Sequence, residues 1–89
     1  MNRGGQQPGL AVRTERLRAI LADRGLTHAE LADRLRVTRA AVSQKMLPGA
    51  RMSLALADAY ASLLKVHPSD IVDGFPKDLA RRWQPRPKK

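Results

Sequence analysis

Apolar residues recur at spacings of three and four through most of this sequence, which is the spacing of one face of an α-helix. The first such run places Leu17, Ile20 and Leu21 on one face. A helix there would begin after Thr14 as N-cap and end at Gly25, a residue that commonly terminates helices. No segment alternates between apolar and polar residues as a half-buried strand does. The pattern therefore predicts an all-α fold.

Two more helices follow, with only a short turn between them. Thr27 and Glu30 have the spacing of a capping box, in which hydroxyl and carboxylate satisfy backbone N–H groups at the start of a helix. Thr38 is a good N-cap for the next helix. The apolar positions of the pair are Leu31, Leu35, Val42 and Met46. Helices this short and this close must cross steeply.

The remainder of the chain predicts a loop and two or three helices. After the loop, residues 47–52, Ser53 caps the longest helix. Pro68 then starts a short helix that Gly74 closes. Residues 76–83 form a last helix if their apolar edge packs on the domain or on a second subunit. That edge consists of Phe75, Leu79 and Trp83. The prediction is a compact bundle of five short helices, or six with this last one.

The length and composition bound the class of protein. Eighty-nine residues form one domain, which we divide into a flexible arm at residues 1–11, a helical domain at 12–74 and a basic tail at 75–89. The absence of cysteine excludes disulfides, cysteine-bound zinc and thiol catalysis. No apolar stretch approaches the roughly 20 residues that span a bilayer, and we expect a cytoplasmic location.

The charge indicates a polyanionic partner. The formal net charge is +9 and the isoelectric point is about 11.4. Residues 34–57, which we call the acid-free window, contain no Asp or Glu, so they can approach phosphates without repulsion. A membrane surface fits less well than nucleic acid, because no helix has a strongly apolar exposed face. The basic residues of the window are Arg34, Arg36, Arg39, Lys45 and Arg51.

Catalytic and ligand-binding constellations are missing from the sequence. There is no Ser/His/Asp set in a plausible context, no carboxylate pair and no glycine-rich phosphate loop. His67, Asp70 and Asp73 surround a helix start and match capping and dipole chemistry better than metal ligation. We therefore expect no enzyme activity, no metal, no cofactor and no small-molecule ligand.

Residues 26–46, LTHAELADRLRVTRAAVSQKM, resemble the helix-turn-helix of the lambda-repressor-like, or Xre (Cro-type), family of DNA-binding domains. The resemblance extends over residues 14–74. The family pattern requires a small residue, an apolar residue after the turn and a β-branched core residue, and Ala32, Val37 and Val42 supply them. A side chain larger than Ala at position 32 would hold the two helices apart where they cross. We expect Val37 to help close the core beside them.

The resemblance implies that the second of these helices, about residues 39–46, enters the major groove of double-stranded DNA. On a helical wheel Val42 and Met46 point inward, and the opposite face carries the candidate base contacts Arg39, Ala40, Ser43 and Gln44. The amino ends of the two helices and the following loop supply the candidate phosphate contacts Thr27, His28, Thr38, Lys45 and Arg51. A basic arm along the DNA, or a merely solubilising tail, is formed by Arg81, Arg82, Arg86, Lys88 and Lys89.

Two positions depart from the family pattern. The turn usually carries a left-handed Gly, whereas this chain has Arg36, which costs about 1–2 kcal/mol if the geometry is kept. We expect Arg36 to be retained for its charge. Lys45 occupies a place that is more often apolar. Either its stem covers the edge of the core, or the helix turns to bury Met46 and Leu47 instead.

The sequence predicts a sequence-specific transcription regulator, a repressor or a Cro-like protein of the kind found in phages and mobile elements. A single short recognition helix reads few base pairs, so we expect a homodimer at least on DNA. Two alternatives stay open. One is a DNA-binding antitoxin or other protein-interaction module, and the other is a nucleic-acid-binding protein without sequence preference.

Overall fold

The computed structural model describes residues 9–85 and contains five α-helices, one 3-10 turn and two very short strands within them. The helices are α1 (Thr14–Arg24), α2 (His28–Leu35), α3 (Arg39–Gln44), α4 (Leu54–Leu64) and α5 (Lys77–Arg82). The strands are β1 (Leu10–Ala11) and β2 (Arg51–Met52), and the 3-10 turn spans Pro68–Asp70. The all-α prediction is confirmed. The short helix predicted after Pro68 is the 3-10 turn, and the last predicted helix is α5.

One hydrophobic core joins α1 to α4 with the segment after the 3-10 turn. Tyr60 is the largest side chain that is fully buried, and small residues such as Ala57 and Ala61 let α4 pass close to its neighbours. Burial raises the pKa of the Tyr60 hydroxyl to about 12, because the phenolate would be poorly solvated there. The other buried apolar residues are Leu17, Ile20, Leu21, Leu31, Ala32, Val42, Met46, Met52, Leu64, Ile71 and Val72.

Local capping chemistry fixes the starts of three helices. Thr27 forms the predicted capping box with Glu30. The Thr38 hydroxyl accepts from the N–H of Ala41 at 3.0 Å, and Ser53 accepts from that of Leu56 at the same distance. The helix α1 differs from the prediction, because Thr14 is its first residue rather than its cap. Its start is set from a distance: the N–H of the preceding residue donates to the Ile71 carbonyl at 2.7 Å.

The strands β1 and β2 form an antiparallel pair in which Leu10 faces Met52. The Arg51 guanidinium strengthens this pairing by donating to the Gly9 carbonyl at 2.8 Å. The assignment of residues 10 and 11 to a flexible arm, and of 51 and 52 to a loop, is therefore wrong. Strands of two residues carry no alternating pattern, so they cannot be read from a sequence. The remainder of the predicted arm, residues 1–8, lies outside the described part of the chain.

The helix α5 packs on α4 through the tryptophan that follows it. The Trp83 Nε1–H donates to Asp58 Oδ1 at 2.6 Å, and the ring meets His67 edge to face at 5.6 Å between centroids. Phe75 and Trp83 pack against the core as predicted, whereas Leu79 remains 43% exposed. Within residues 9–85 no helix combines the length and apolar character that a membrane span requires.

Candidate nucleic-acid interface

The turn between α2 and α3 keeps a left-handed residue although no glycine is present. Arg36 has φ 62° and ψ 43° and terminates α2. The next N–H, that of Val37, returns to the Ala32 carbonyl at 3.0 Å. Ala32 is 4% exposed, as its place at the helix crossing requires. The expectation that Val37 closes the core is wrong, because the turn leaves its side chain 37% exposed and half-buried Leu35 packs on the core there instead.

The helix α3 presents the predicted inner face. Val42 is fully buried and Met46 is 2% exposed, although the helix ends at Gln44 and Met46 lies in the turn that follows. The prediction of a helix through residue 46 was therefore two residues too long. Leu47 is exposed, and the half-buried Lys45 directs its ammonium to the Arg51 carbonyl. Of the two arrangements expected at Lys45, the one that buries both Met46 and Leu47 is wrong, because Leu47 is 53% exposed.

The outer face of α3 is short, polar and free of acids. Arg39, Ala40 and Gln44 are exposed, and Ser43 is half-buried beside them. Ser43 does not stand alone, because its Oγ lies 2.9 Å from Nδ1 of His28 at the first turn of α2. The structure thus brings together a residue predicted to contact bases and one predicted to contact phosphates. This pairing could not be predicted from the sequence, because the two residues are 15 positions apart on different helices.

Some of the candidate phosphate contacts already form hydrogen bonds within the protein. The Thr27 hydroxyl accepts from the Glu30 N–H at 3.0 Å and lies 3.2 Å from its carboxylate. The backbone N–H of Thr27, its hydroxyl and the charge of Arg34 lower the pKa of Glu30. A carboxylate therefore stands at the start of α2. Thr38 uses its oxygen as a cap acceptor, and the guanidinium of Arg51 contacts Gly9 while remaining exposed.

One contact that supports the interface was not predicted from the sequence. Arg18 of α1 donates from its guanidinium to the Met46 carbonyl at 2.9 Å. This hydrogen bond holds the end of the recognition segment, which is α3 and the turn that follows it to Met46, against α1. The two residues are 28 positions apart, and an exposed arginine on a helix carries no sequence signal for such a role.

The positive charge of the acid-free window is presented at the surface. Arg34, Arg36, Arg39 and Arg51 are all exposed. Among residues 9–85, the ion pairs within 4.0 Å do not involve window residues; they are Arg13–Asp73, Arg16–Asp70, Arg24–Asp23 and Arg81–Asp78. The window is thus available to an external anion. Of the predicted basic arm, Arg81 pairs within α5 and Arg82 is exposed, whereas Arg86, Lys88 and Lys89 lie outside the described residues.

The histidine near the 3-10 turn has a structural environment. The Nδ1 of His67 accepts from the N–H of Ser69 at 3.1 Å, and its Nε2 lies 2.8 Å from the Ala80 carbonyl. It therefore caps the turn and contacts α5, while the nearby acids pair with arginines of the first helical segment. In the described part of the chain no group of three or more His, Asp or Glu side chains is placed to hold a metal.

Two short helices in contact, α2 and α3, a left-handed turn between them and an exposed acid-free α3 face define a helix-turn-helix DNA-binding domain. The model of the Cro/C1-type HTH DNA-binding domain family matches residues 16–82. The chain belongs to this family, which confirms the resemblance and extends it into α5. DNA is therefore the partner that the domain supports. No curated protein and no solved structure gives a significant match to the chain.

Proposed function

We propose that this protein is a sequence-specific regulator of transcription, a repressor or a Cro-like protein, that inserts α3 into the major groove. The observation that carries the proposal is the outer face of α3, where exposed Arg39, Ala40 and Gln44 lie in a window without acids. Such a face can enter a groove between two rows of phosphates without electrostatic penalty. Binding is its function, and we assign no catalytic residue, metal, cofactor or small-molecule ligand.

Each side chain of this face suits a particular base edge. Gln44 can form a bidentate contact with adenine, and Arg39 can do so with guanine or reach a phosphate. The Ala40 methyl group can touch the methyl group of thymine. Ser43 lies one turn after Arg39 and completes the face. Together they would read the few base pairs of one half-site.

Phosphate contacts would fix the orientation of α3 over the bases. Arg51 and Thr38 are the best placed, because both are exposed and flank the recognition helix. His28 contributes from the start of α2. Thr27 would contribute only after its hydroxyl leaves the Glu30 carboxylate. Lys45 would contribute only after its ammonium leaves the Arg51 carbonyl. The predicted basic arm would follow the DNA backbone and add affinity without specificity; it consists of Arg81, Arg82, Arg86, Lys88 and Lys89.

A homodimer on DNA would supply the second half-site. The surface of α4 and α5 offers a groove of about 550 Å³ next to the exposed Leu54 and Leu79. Leu54 and Leu79 line this groove and would give a second copy an apolar contact there. A regulator of this kind would act on the DNA of a bacterial or phage genome in the cytoplasm.

The test is selection of bound duplexes from a random pool at about 150 mM salt, where binding by charge alone is weakened. We expect enrichment of a short inverted repeat. Failure to enrich any motif, with affinity that collapses as salt rises, would favour the nucleic-acid binder without sequence preference. If no motif is enriched and the α4–α5 surface instead binds a protein with an affinity that does not depend on salt, the protein-interaction module is favoured.

A further inference from the structure

The hydrogen bond between His28 and Ser43 crosses from the start of α2 to the middle of the recognition helix. The atoms Nδ1 and Oγ are 2.9 Å apart, and both side chains are half-buried, which shields their contact from competing water. Ser43 also lies on the face of α3 that carries Arg39, Ala40 and Gln44. The pair therefore links a candidate phosphate contact directly to a candidate base contact.

A serine hydroxyl on its own discriminates poorly between bases. It is both a donor and an acceptor, and its proton rotates to suit whichever base edge it meets. A neighbour that holds the proton in one direction removes this ambiguity. The remaining lone pairs can then accept only from an amino group, N6 of adenine or N4 of cytosine, and not from the oxygens of guanine or thymine.

We propose that His28 is a specificity-determining positioning residue: its Nδ1 accepts a hydrogen bond from the Ser43 hydroxyl, which directs the hydroxyl proton away from the DNA and makes Ser43 Oγ an acceptor toward the bases. The tautomer follows from the other ring nitrogen. A phosphate oxygen needs a donor, so the phosphate contact of His28 belongs to Nε2–H, and Nδ1 keeps the lone pair that accepts from Ser43. Phosphate anchoring by His28 and base selection by Ser43 are thus one coupled device. This inference rests on the proposed function.

Two substitutions separate the roles of the two ring nitrogens. The amide of Asn reaches about as far as Nδ1, and the amide of Gln reaches about as far as Nε2. His28→Asn should keep the contact with Ser43 and weaken binding to all sequences alike. His28→Gln should retain the phosphate contact and leave the Ser43 hydroxyl free to rotate. His28 is half-buried at the first position of α2, where a polar Asn or Gln side chain can be accommodated. We therefore expect both variants to fold, and thermal unfolding checks this.

The experiment is selection from a random duplex pool at about 150 mM salt with the full chain and its variants. Ser43→Ala identifies the base pair that Ser43 reads, where we expect the wild type to favour an amino base about fivefold, the value of one hydrogen bond. His28→Gln should accept amino and keto bases equally at that base pair and leave the other positions of the motif unchanged. His28→Asn should keep the preference for an amino base. Adding Ser43→Ala to His28→Gln should not change the base preference any further.

Three outcomes overturn the inference while the proposed function stands. They are an unchanged preference in His28→Gln, a wild-type preference for guanine or thymine at that base pair, and a Ser43→Ala variant with an unaltered motif. If the wild type itself enriches no motif, the proposed function fails, and this inference fails with it for that separate reason.

Discussion

Arg36 and Lys65 are the non-glycine residues with positive φ in the described chain, at 62° and 58°, and each follows the end of a helix. A left-handed conformation costs a non-glycine residue about 1–2 kcal/mol. Glycine avoids this cost but loses more conformational entropy on folding, which offsets part of the gain. We expect Arg36→Gly and Lys65→Gly each to raise the free energy of unfolding by about 1 kcal/mol. Urea denaturation measures this directly.

The same two variants differ in what they do to DNA binding. Arg36 belongs to the acid-free window and Lys65 does not, so Arg36→Gly alone should weaken binding to every sequence. It should also reduce the slope of log affinity against log salt by about 0.9, the contribution of one phosphate contact. Lys65→Gly is the matched control for stability. Equal affinities of the two variants would show that Arg36 is not retained for its charge.

The outer face of α3 and the Arg51 side chain should respond differently to truncation. Gln44→Ala or Arg39→Ala removes a base contact and should reduce discrimination between sites by about 1–3 kcal/mol. Arg51→Ala should weaken all sequences alike, and it also removes the contact with Gly9 that steadies β1. Binding isotherms with the selected site and with single-base variants distinguish the two effects. A uniform loss in all three variants would mean that the reading face is misplaced.

Tyr60 makes stability depend on pH at the alkaline end. Its folded pKa of about 12 lies above the ordinary value of 10.0, so the protonated form is preferred in the folded state. The stabilisation is fully present below pH 10 and is lost as the pH rises toward 12, by about 2–3 kcal/mol in total. Tyr60→Phe should remove this part of the alkaline loss. Chemical denaturation of both proteins between pH 9 and about 12 tests it, and parallel curves would contradict it.

At the scale of elements, the features that could be predicted are those that neighbouring residues determine. The caps Thr27, Thr38 and Ser53 act within one turn, and the sequence shows each of them together with the apolar face that follows. The features that escaped prediction join distant segments. They include the β1–β2 pair, the start of α1, and the contacts that Arg18 and His28 make with the recognition segment. Only three-dimensional packing reveals which polar side chains meet.

The attachment of α5 is an element-scale property to which one carboxylate contributes. Asp58 accepts from Trp83 Nε1 at 2.6 Å, and a hydrogen bond to a charged group contributes about 1–3 kcal/mol. Asp58→Ala should loosen α5, lower stability by about 1–2 kcal/mol and shift the fluorescence of Trp83, the only tryptophan, to longer wavelength. Asp78→Ala is the control, because it removes an exposed carboxylate of α5 itself that pairs with Arg81 and leaves the Trp83 contact in place. An unshifted spectrum in Asp58→Ala would show that other contacts hold α5.

For the whole molecule, size and charge together limit how two copies can occupy DNA. A net charge of +9 opposes association in free solution, whereas DNA phosphates neutralise that charge and bring two copies together. The principal extents of one chain are 40 × 31 × 25 Å. Half-sites one helical turn apart are separated by about 34 Å, so two copies bound on the same side of the duplex can touch when the longest of these dimensions lies along the duplex. The proposed dimer on DNA would therefore require half-sites that lie on the same side of the duplex.

Inserting about 5 base pairs, half a helical turn, between the half-sites of a selected operator would place the second copy on the opposite side of the duplex. We expect cooperative binding to disappear, so that each half-site binds with its own weak affinity. The second copy should then bind at least about tenfold more weakly than it binds to the original operator. Gel-shift titrations that resolve one and two bound copies measure this. The control is an operator with one half-site scrambled, which should show the same single-copy affinity. Retained cooperativity after the insertion would mean that the contact between copies is long and flexible, and that the α4–α5 surface is not the one that joins them.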